Sequence, residues 1–346
     1  MANRKPKRIT PDEFYRAAVG SAPKAGSLAA LLLRFILWRQ ERNYSEKGIF
    51  SHARHIYHFI EWCHIRGLAF PQEITRPIME RYQSALHQQH YKNNQDKPLS
   101  VRTQHHRLTA IKTWFTWMSK QSLILANPAA DLEMPKLMTQ LPRYILSVNE
   151  IEHILRLPDL STPQGIRDRA LLEVLWSTGI RRSELANLDI YSVNRERSLL
   201  TIRQGKGRRD RVVPIGERAL TWLVHYLDEV RPQKVINPKL KALFLSSDGM
   251  GGLVSESIGY LVRMYIRDSG LPTSGSCHLF RHAMATQMLE NGADTRWIQA
   301  MLGHQRLETT QIYTQVSIRA LQAVHAATHP AQRERQRLCD TDIAGE

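Results

Sequence analysis

Along the first third of the chain, apolar side chains return every three or four residues. Leu31, Leu32, Phe35 and Trp38 share one face of 28–42, and Phe50, Ala53, Tyr57 and Ile60 share one face of 46 to about 66. That spacing is the signature of amphipathic helices. A third helix is predicted over 75–90, and a fourth after Ser100, carrying Leu108, Ile111, Phe115 and Met118. The polar run KNNQDKP (92–98) reads as the loop between them. No stretch here alternates with the two-residue period of a strand, so the region predicts a small all-α unit.

Residues 127–142 (NPAADLEMPKLMTQLP) hold three prolines and no periodicity, which marks a linker. A second unit begins near Ser147, where Ser147 and Glu150 have capping-box spacing and Ile151, Ile154 and Leu155 continue the apolar face. Helices are predicted over 165–176, 216–230, 254–269, from His278 onward, over 295–302 with Gly303 as the stop, and over 317–328 with Leu321 and Val324 apolar. Two short strands, 199–203 (LLTIR) and 211–215 (RVVPI), flank the hairpin sequence QGKGRRD, and 243–245 reads as a further short strand. The resulting organisation is a flexible basic N-terminus (1–26), an all-α unit (27–126), a linker (127–146), an α+β unit (147–328) and a charged tail (329–346).

Charge narrows the partner. Lys and Arg number 48 against 32 Asp and Glu, a formal charge of +16, which favours a polyanion. The excess is spread: residues 1–134 carry 20 basic against 10 acidic side chains, and the remainder carries 28 against 22. Two basic units suit two lobes touching one polyanion. The alternative, an anionic membrane surface, lacks an amphipathic anchor, and the apolar run 28–38 is broken by Arg34 and too short to span a bilayer. The three cysteines, Cys63, Cys277 and Cys339, form no CxxC pair, which argues against a zinc site or disulfide framework and for a reducing, cytosolic setting. Arg54, Arg102, Arg107 and Lys112, with His52, His55, His105 and His106, cluster on the N-terminal helices. Singly each is an ordinary solvated side chain; together they suggest phosphate contacts.

The chemistry concentrates further on. In STGIRRSELANL (177–188), Gly179 breaks one helix and Arg181 stands where the next begins. A guanidinium there adds a bidentate fork to the free N–H groups of a helix start. Taken alone, Arg181 is equally well a surface arginine paired with Glu184. Lys206 lies between Gly205 and Gly207 at the predicted hairpin tip, with Arg208 and Arg209 beside it; the spacing is not that of a P-loop. His278 and Arg281 stand three apart and share a helical face. His304 follows Gly303, and Tyr313 follows nine residues later.

With TGIRRSEL, GKG, HLFRH, LGH and TTQIYT in this order, the chain resembles the tyrosine recombinases, the family of phage integrases and Xer-type recombinases, and is most similar to the Xer-like branch. Arg181, Lys206, His278, Arg281, His304 and Tyr313 match the six positions of the family pattern. Cys277 and Phe280 stand where many relatives have Pro and Leu. The resemblance implies a mainly α fold with a small antiparallel β-sheet, arranged as a two-domain C-shaped clamp. An all-α core-binding domain would precede an α+β catalytic domain of the DNA breaking-rejoining type.

It also implies a reaction: cutting and rejoining double-stranded DNA at a specific recombination site, one strand at a time, through a 3′-phosphotyrosine and a Holliday junction. Four protomers on two DNA sites would act, alone or beside a second recombinase. The residues suit that chemistry. Attack on a phosphodiester builds charge on the non-bridging oxygens, which two guanidiniums, Arg181 and Arg281, stabilise without a metal ion. Tyr313 is the nucleophile, His278 the base for its proton, Lys206 the acid for the leaving 5′ oxygen, and His304 a hydrogen-bond donor to the phosphate. Glu184 orients its neighbours. The bond energy is conserved, so neither ATP nor any other cofactor is implied. Two alternatives share much of this pattern: a type IB-like topoisomerase and a DNA-binding protein with a relic site.

Overall fold

The computed structural model describes residues 23–91, 94–137, 144–203 and 210–303. The chain divides into two compact units, Met1–Thr139 and Gln140–Glu346.

The first unit is built on four helices: α1 (Leu28–Glu41), α2 (Glu46–His64), α3 (Arg76–Gln88) and α4 (Val101–Lys120). Serines set three of the starts. The hydroxyls of Ser27, Ser45 and Ser100 accept from the amides of Ala30, Gly48 and Thr103, satisfying donors that a helix start leaves unpaired. The apolar faces read from the sequence meet in one core, where Phe35, Ile36, Phe59, Tyr82, Trp114 and Phe115 are fully buried. α2 packs between α1 and α4, and α3 packs on α4.

The expected polar loop differs. β1 (His90–Tyr91) and β2 (Asn94–Pro98) pair antiparallel, with His90 opposite Pro98 and Tyr91 opposite Asn94. The ribbon is defined by main-chain pairing. Its polar sequence carries no apolar alternation, so the strand period is silent and the unit is not purely helical. The start of the predicted linker also lies on this unit. Ala129 and Leu132 are buried in its core, and Lys112 Nζ donates to the carbonyls of Ala130 and Leu132, each at 3.0 Å.

The second unit comprises α5 (Val148–Arg156), α6 (Pro163–Thr178), α7 (Arg182–Ala186), a three-stranded antiparallel sheet, α8 (Glu217–His225), α9 (Ser255–Asp268), α10 (Cys277–Glu290) and α11 (Thr295–Leu302). The Ser147–Glu150 capping box forms as its spacing predicts. The sheet runs in the order β3 (Val193–Asn194), β4 (Leu199–Ile202), β5 (Arg211–Pro214), with Leu199 opposite Pro214 and Ile202 opposite Arg211. β3 was not foreseen, because two residues carry no readable period. The strand expected at 243–245 is instead two isolated bridges, Asp189 to Ala242 and Leu245 to Gly252. α8 continues through a π-helical stretch, Tyr226–Val230, into a last turn, Arg231–Lys234.

α6 is the axis of this unit, with α8 and α10 packed on it and Ala170 to Leu175 buried. A helix enclosed on several sides must bury some of its polar positions, and these are paired. Arg167 meets Asp168 at 2.8 Å, and Glu173 accepts from Arg169 and Arg218. At the far end of α6, Met284 and Ala285 of α10 pack with Ile298 and Leu302 of α11 in a small apolar cluster. That cluster packs the last turns of α11 against α10. The described residues form a mainly α structure with a small antiparallel sheet, as the sequence predicts, with a second, two-stranded ribbon added.

Candidate active site

Four of the residues singled out from sequence lie on two elements, α7 with its N-cap and α10, whose arginines meet at the C-terminal end of α11. Gly179 closes α6 in the left-handed region (φ 57°), where a Cβ would lie 2.0 Å from Met284 Cε. The turn this allows makes Arg181 the N-cap of α7. Glu184, in the first turn of α7, reaches back to it. Glu184 Oε2 accepts from the Arg181 amide at 2.9 Å and Oε1 from Arg181 Nη1 at 2.8 Å. The pairing with Glu184 is therefore real, yet it does not leave Arg181 as a surface residue. Its other nitrogen, Nη2, donates to the carbonyl of Gly303 at 2.9 Å.

Arg281 arrives from α10 and is buried, 4% exposed. Nη1 donates to the carbonyl of Gly179 at 2.6 Å and Nη2 to that of Leu302 at 2.9 Å. The two guanidiniums proposed from sequence as a phosphate clamp thus bind adjacent carbonyls, Leu302 and Gly303. His278 lies one helical turn before Arg281. Partial desolvation lowers its pKa, and Arg281, Arg182 and Arg181 lower it further, which favours the neutral imidazole. His282 is pushed down to about 4 by burial, with His278 and Arg281 adding to it.

One participant escaped the sequence reading. Arg211, on β5, forks onto Glu184, with Nη1 to Oε1 at 2.9 Å and Nη2 to Oε2 at 2.7 Å, while Nε donates to the carbonyl of Met301 at 2.9 Å. The available signal was strand alternation. Arg211 and Val213 share the inward face of β5, and an inward arginine demands a buried counter-charge. Burial by itself raises the Glu184 carboxyl. The Arg211 side chain, the Arg181 amide and the Arg181 side chain outweigh it and hold the group down to about 2.

Lys206, Arg208, Arg209, His304 and Tyr313 lie outside the described residues. In the first unit, Arg54 and Arg102 are exposed on α2 and α4. Arg107 is half-buried and donates to Gln89 Oε1 at 2.8 Å, and Lys112 is committed to the two carbonyls above. Among the described residues no group of three or more His, Cys, Asp and Glu side chains has the arrangement of a metal site, and no helix is long and apolar enough to cross a membrane.

Residues 145–319 match the phage integrase family. That span includes all six motif positions. Tyrosine recombinase XerC 2 of Ralstonia nicotianae is 48% identical over 299 residues, covering 86% of this chain and 85% of that protein. Tyrosine recombinase XerD of the same species is 31% identical, covering 91% and 99%. Among solved structures, XerH site-specific recombinase bound to palindromic difH substrate, in a post-cleavage complex, aligns with a TM-score of 0.67. It covers 92% of this chain and 94% of that one at 21% identity. A lambda integrase dimer bound to a COC′ core site aligns at 0.61 over 82% and 97%, at 18% identity. At these identities the structures share a fold with this chain.

Proposed function

The chain belongs to the phage integrase family of tyrosine recombinases, and on that premise we propose that it cuts and rejoins double-stranded DNA at a specific site, through a 3′-phosphotyrosyl link to Tyr313 and a Holliday junction. The observation that carries this reading is the convergence of Arg181 and Arg281 on neighbouring carbonyls, Gly303 and Leu302, with His278 one helical turn before Arg281.

A phosphodiester under attack gains negative charge on its non-bridging oxygens. Guanidiniums already held in place stabilise that charge without reorganising at the moment of reaction. A tyrosine phenol ordinarily has a pKa of about 10, so as a nucleophile Tyr313 needs a proton acceptor. His278, whose lowered pKa favours the neutral imidazole, suits that task. The Tyr313 oxygen then bonds to phosphorus as the bond to the 5′ oxygen breaks, and Lys206 supplies that oxygen's proton. His304 donates a hydrogen bond to the phosphate. The reverse attack by a 5′ hydroxyl on the phosphotyrosine rejoins a strand, so the number of phosphodiester bonds is conserved. Arg54, Arg102, Arg107, Arg208 and Arg209 are the proposed backbone contacts. Lys112 is a weaker one, since its ammonium holds two carbonyls. Four copies of this chain on two sites, working in the cytosol with or without a second recombinase, complete the proposal.

A nicked suicide duplex tests it. The wild-type chain should become covalently attached to a 3′ phosphate, and Tyr313→Phe should bind the same duplex and form no adduct. An adduct surviving in Tyr313→Phe removes the nucleophile. A chain that relaxes a supercoiled plasmid but never recombines two sites is a topoisomerase instead. One that binds DNA with no adduct at all carries a relic site.

A further inference from the structure

Three arginines end on three consecutive carbonyls. Arg211 Nε donates to Met301, Arg281 Nη2 to Leu302 and Arg181 Nη2 to Gly303. These are the last carbonyls of α11, which a helix leaves without internal partners and where its dipole favours cations. Gly303 makes the arrangement possible. It caps α11 in the left-handed region (φ 62°), and a Cβ there would meet Arg211 Nη1 at 3.0 Å.

Two of the three arginines belong to the recombinase motif. Arg211 does not, yet it is the one that controls the charge of the group. Glu184 and Arg181 by themselves form a neutral pair, so without Arg211 only Arg281 would add net positive charge for an approaching phosphate. Arg211 binds both oxygens of the same carboxylate and restores one positive charge. It also limits Arg181 to a single side-chain bond with Glu184, at 2.8 Å, with the second nitrogen directed to Gly303. Side-chain exposure is 13% for Arg211 and 3% for Glu184, so solvent does little to screen the pair.

We propose that Arg211 is a positioning residue of the strand-cleavage site, holding Glu184 and the end of α11 so that Arg181 keeps its charge and its aim for the scissile phosphate. The inference rests on the recombinase reading above. It assigns no contact between Arg211 and DNA; the side chain acts through Glu184, Arg181 and the chain segment that leads into His304.

The test compares wild type, Arg211→Met, Arg211→Lys, Glu184→Gln and the double variant Arg211→Met/Glu184→Gln. Single-turnover adduct formation on the nicked duplex is measured beside duplex affinity and amide hydrogen exchange over 298–303. Arg211→Met should keep its affinity for the duplex, lose about 10²-fold in cleavage rate, as small displacements in an active site do, and exchange faster over 298–303. Arg211→Lys should recover part of the rate, because it restores charge but not the fork. The decisive comparison is a reversal of sign. Glu184→Gln should slow the wild-type chain and speed the Arg211→Met chain, since it removes the carboxylate that then neutralises Arg181. A side chain with only a packing role gives no such reversal. Unchanged cleavage in Arg211→Met, or no gain from Glu184→Gln in that background, overturns the proposal. If the wild-type chain forms no adduct, the recombinase reading fails. The positioning role is then judged by exchange over 298–303, and unchanged exchange in Arg211→Met overturns it.

Discussion

The guanidinium of Arg281 donates to the carbonyl of Gly179 at 2.6 Å, across 102 positions of sequence. That bond ties the helix carrying HLFRH to the turn carrying TGIRR, and the second donation, to Leu302, ties both to the end of α11. The proposed catalytic alignment and the stability of the unit therefore share the same atoms.

Replacing Arg281 by Met should accordingly unfold the second unit more easily as well as remove a clamp. Two carbonyls lose their charged donor in a buried place, at about 1–3 kcal/mol each. Urea unfolding should report a loss of about 2–6 kcal/mol, with Arg281→Lys between the two, since an ammonium lacks the planar fork.

Gly179→Ala should be costly for backbone reasons. The residue sits at φ 57° with Met284 Cε where the new methyl would go. Strain of this kind costs on the order of 1–3 kcal/mol, and Arg181 would be displaced with the turn. Thermal unfolding gives the first effect. The adduct assay gives the second, as a rate loss beyond what the unfolded fraction explains.

Acid should weaken the Glu184 network in a defined window. The carboxyl is at about 2 in the folded chain and about 4.3 when unfolded. A depressed carboxylate contributes stability that is complete above the unfolded value and disappears as pH falls through the folded one. Glu184→Gln should thus be destabilising at pH 7 by on the order of 2 kcal/mol and less so at pH 3. A penalty that is the same at both values contradicts the ionised network.

Half-buried histidines should act over a higher window. His52, His55 and His282 are each pushed down to about 4, mainly by burial, aided by Arg39 at His52, by Arg107 at His55 and by His278 at His282. The unfolded chain takes up protons near pH 6.5 while these groups remain neutral when folded. Stability is therefore full above about 6.5 and falls towards pH 4, by on the order of 1 kcal/mol per histidine after allowance for partial exposure. His282→Gln should flatten part of the fall in the second unit, and His52→Gln part of it in the first, as followed by unfolding between pH 4 and 7.

Helices with a clear apolar stripe were legible because their signal is local. The predicted spans 28–42 and 295–302 correspond to α1 (Leu28–Glu41) and α11 (Thr295–Leu302), and the Ser147 cap forms as its spacing says. The ribbon at 90–98 and the two-residue β3 were not legible. Their partners are chosen by main-chain pairing at a chain reversal, and no side-chain period records it. The strand expected at 243–245 failed for the related reason that an apolar run needs neighbours to pair along its length. Leu245 and Ala242 find only single bridges.

By itself, the sequence determined the order and type of the side chains proposed to carry the chemistry, among the described residues two guanidiniums, a histidine and a carboxylate, in motifs that suit phosphoryl transfer. Only the tertiary structure decided how those groups are held. Arg181 and Arg281 are aimed by carbonyls of Gly179, Leu302 and Gly303, and Arg211 joins them through Glu184. The physical reason is range. A motif lists the groups a site needs, whereas the unpaired carbonyls at the end of α11 reach those groups from more than a hundred residues away for Arg181, ninety for Arg211 and twenty-one for Arg281, and no local period encodes that meeting.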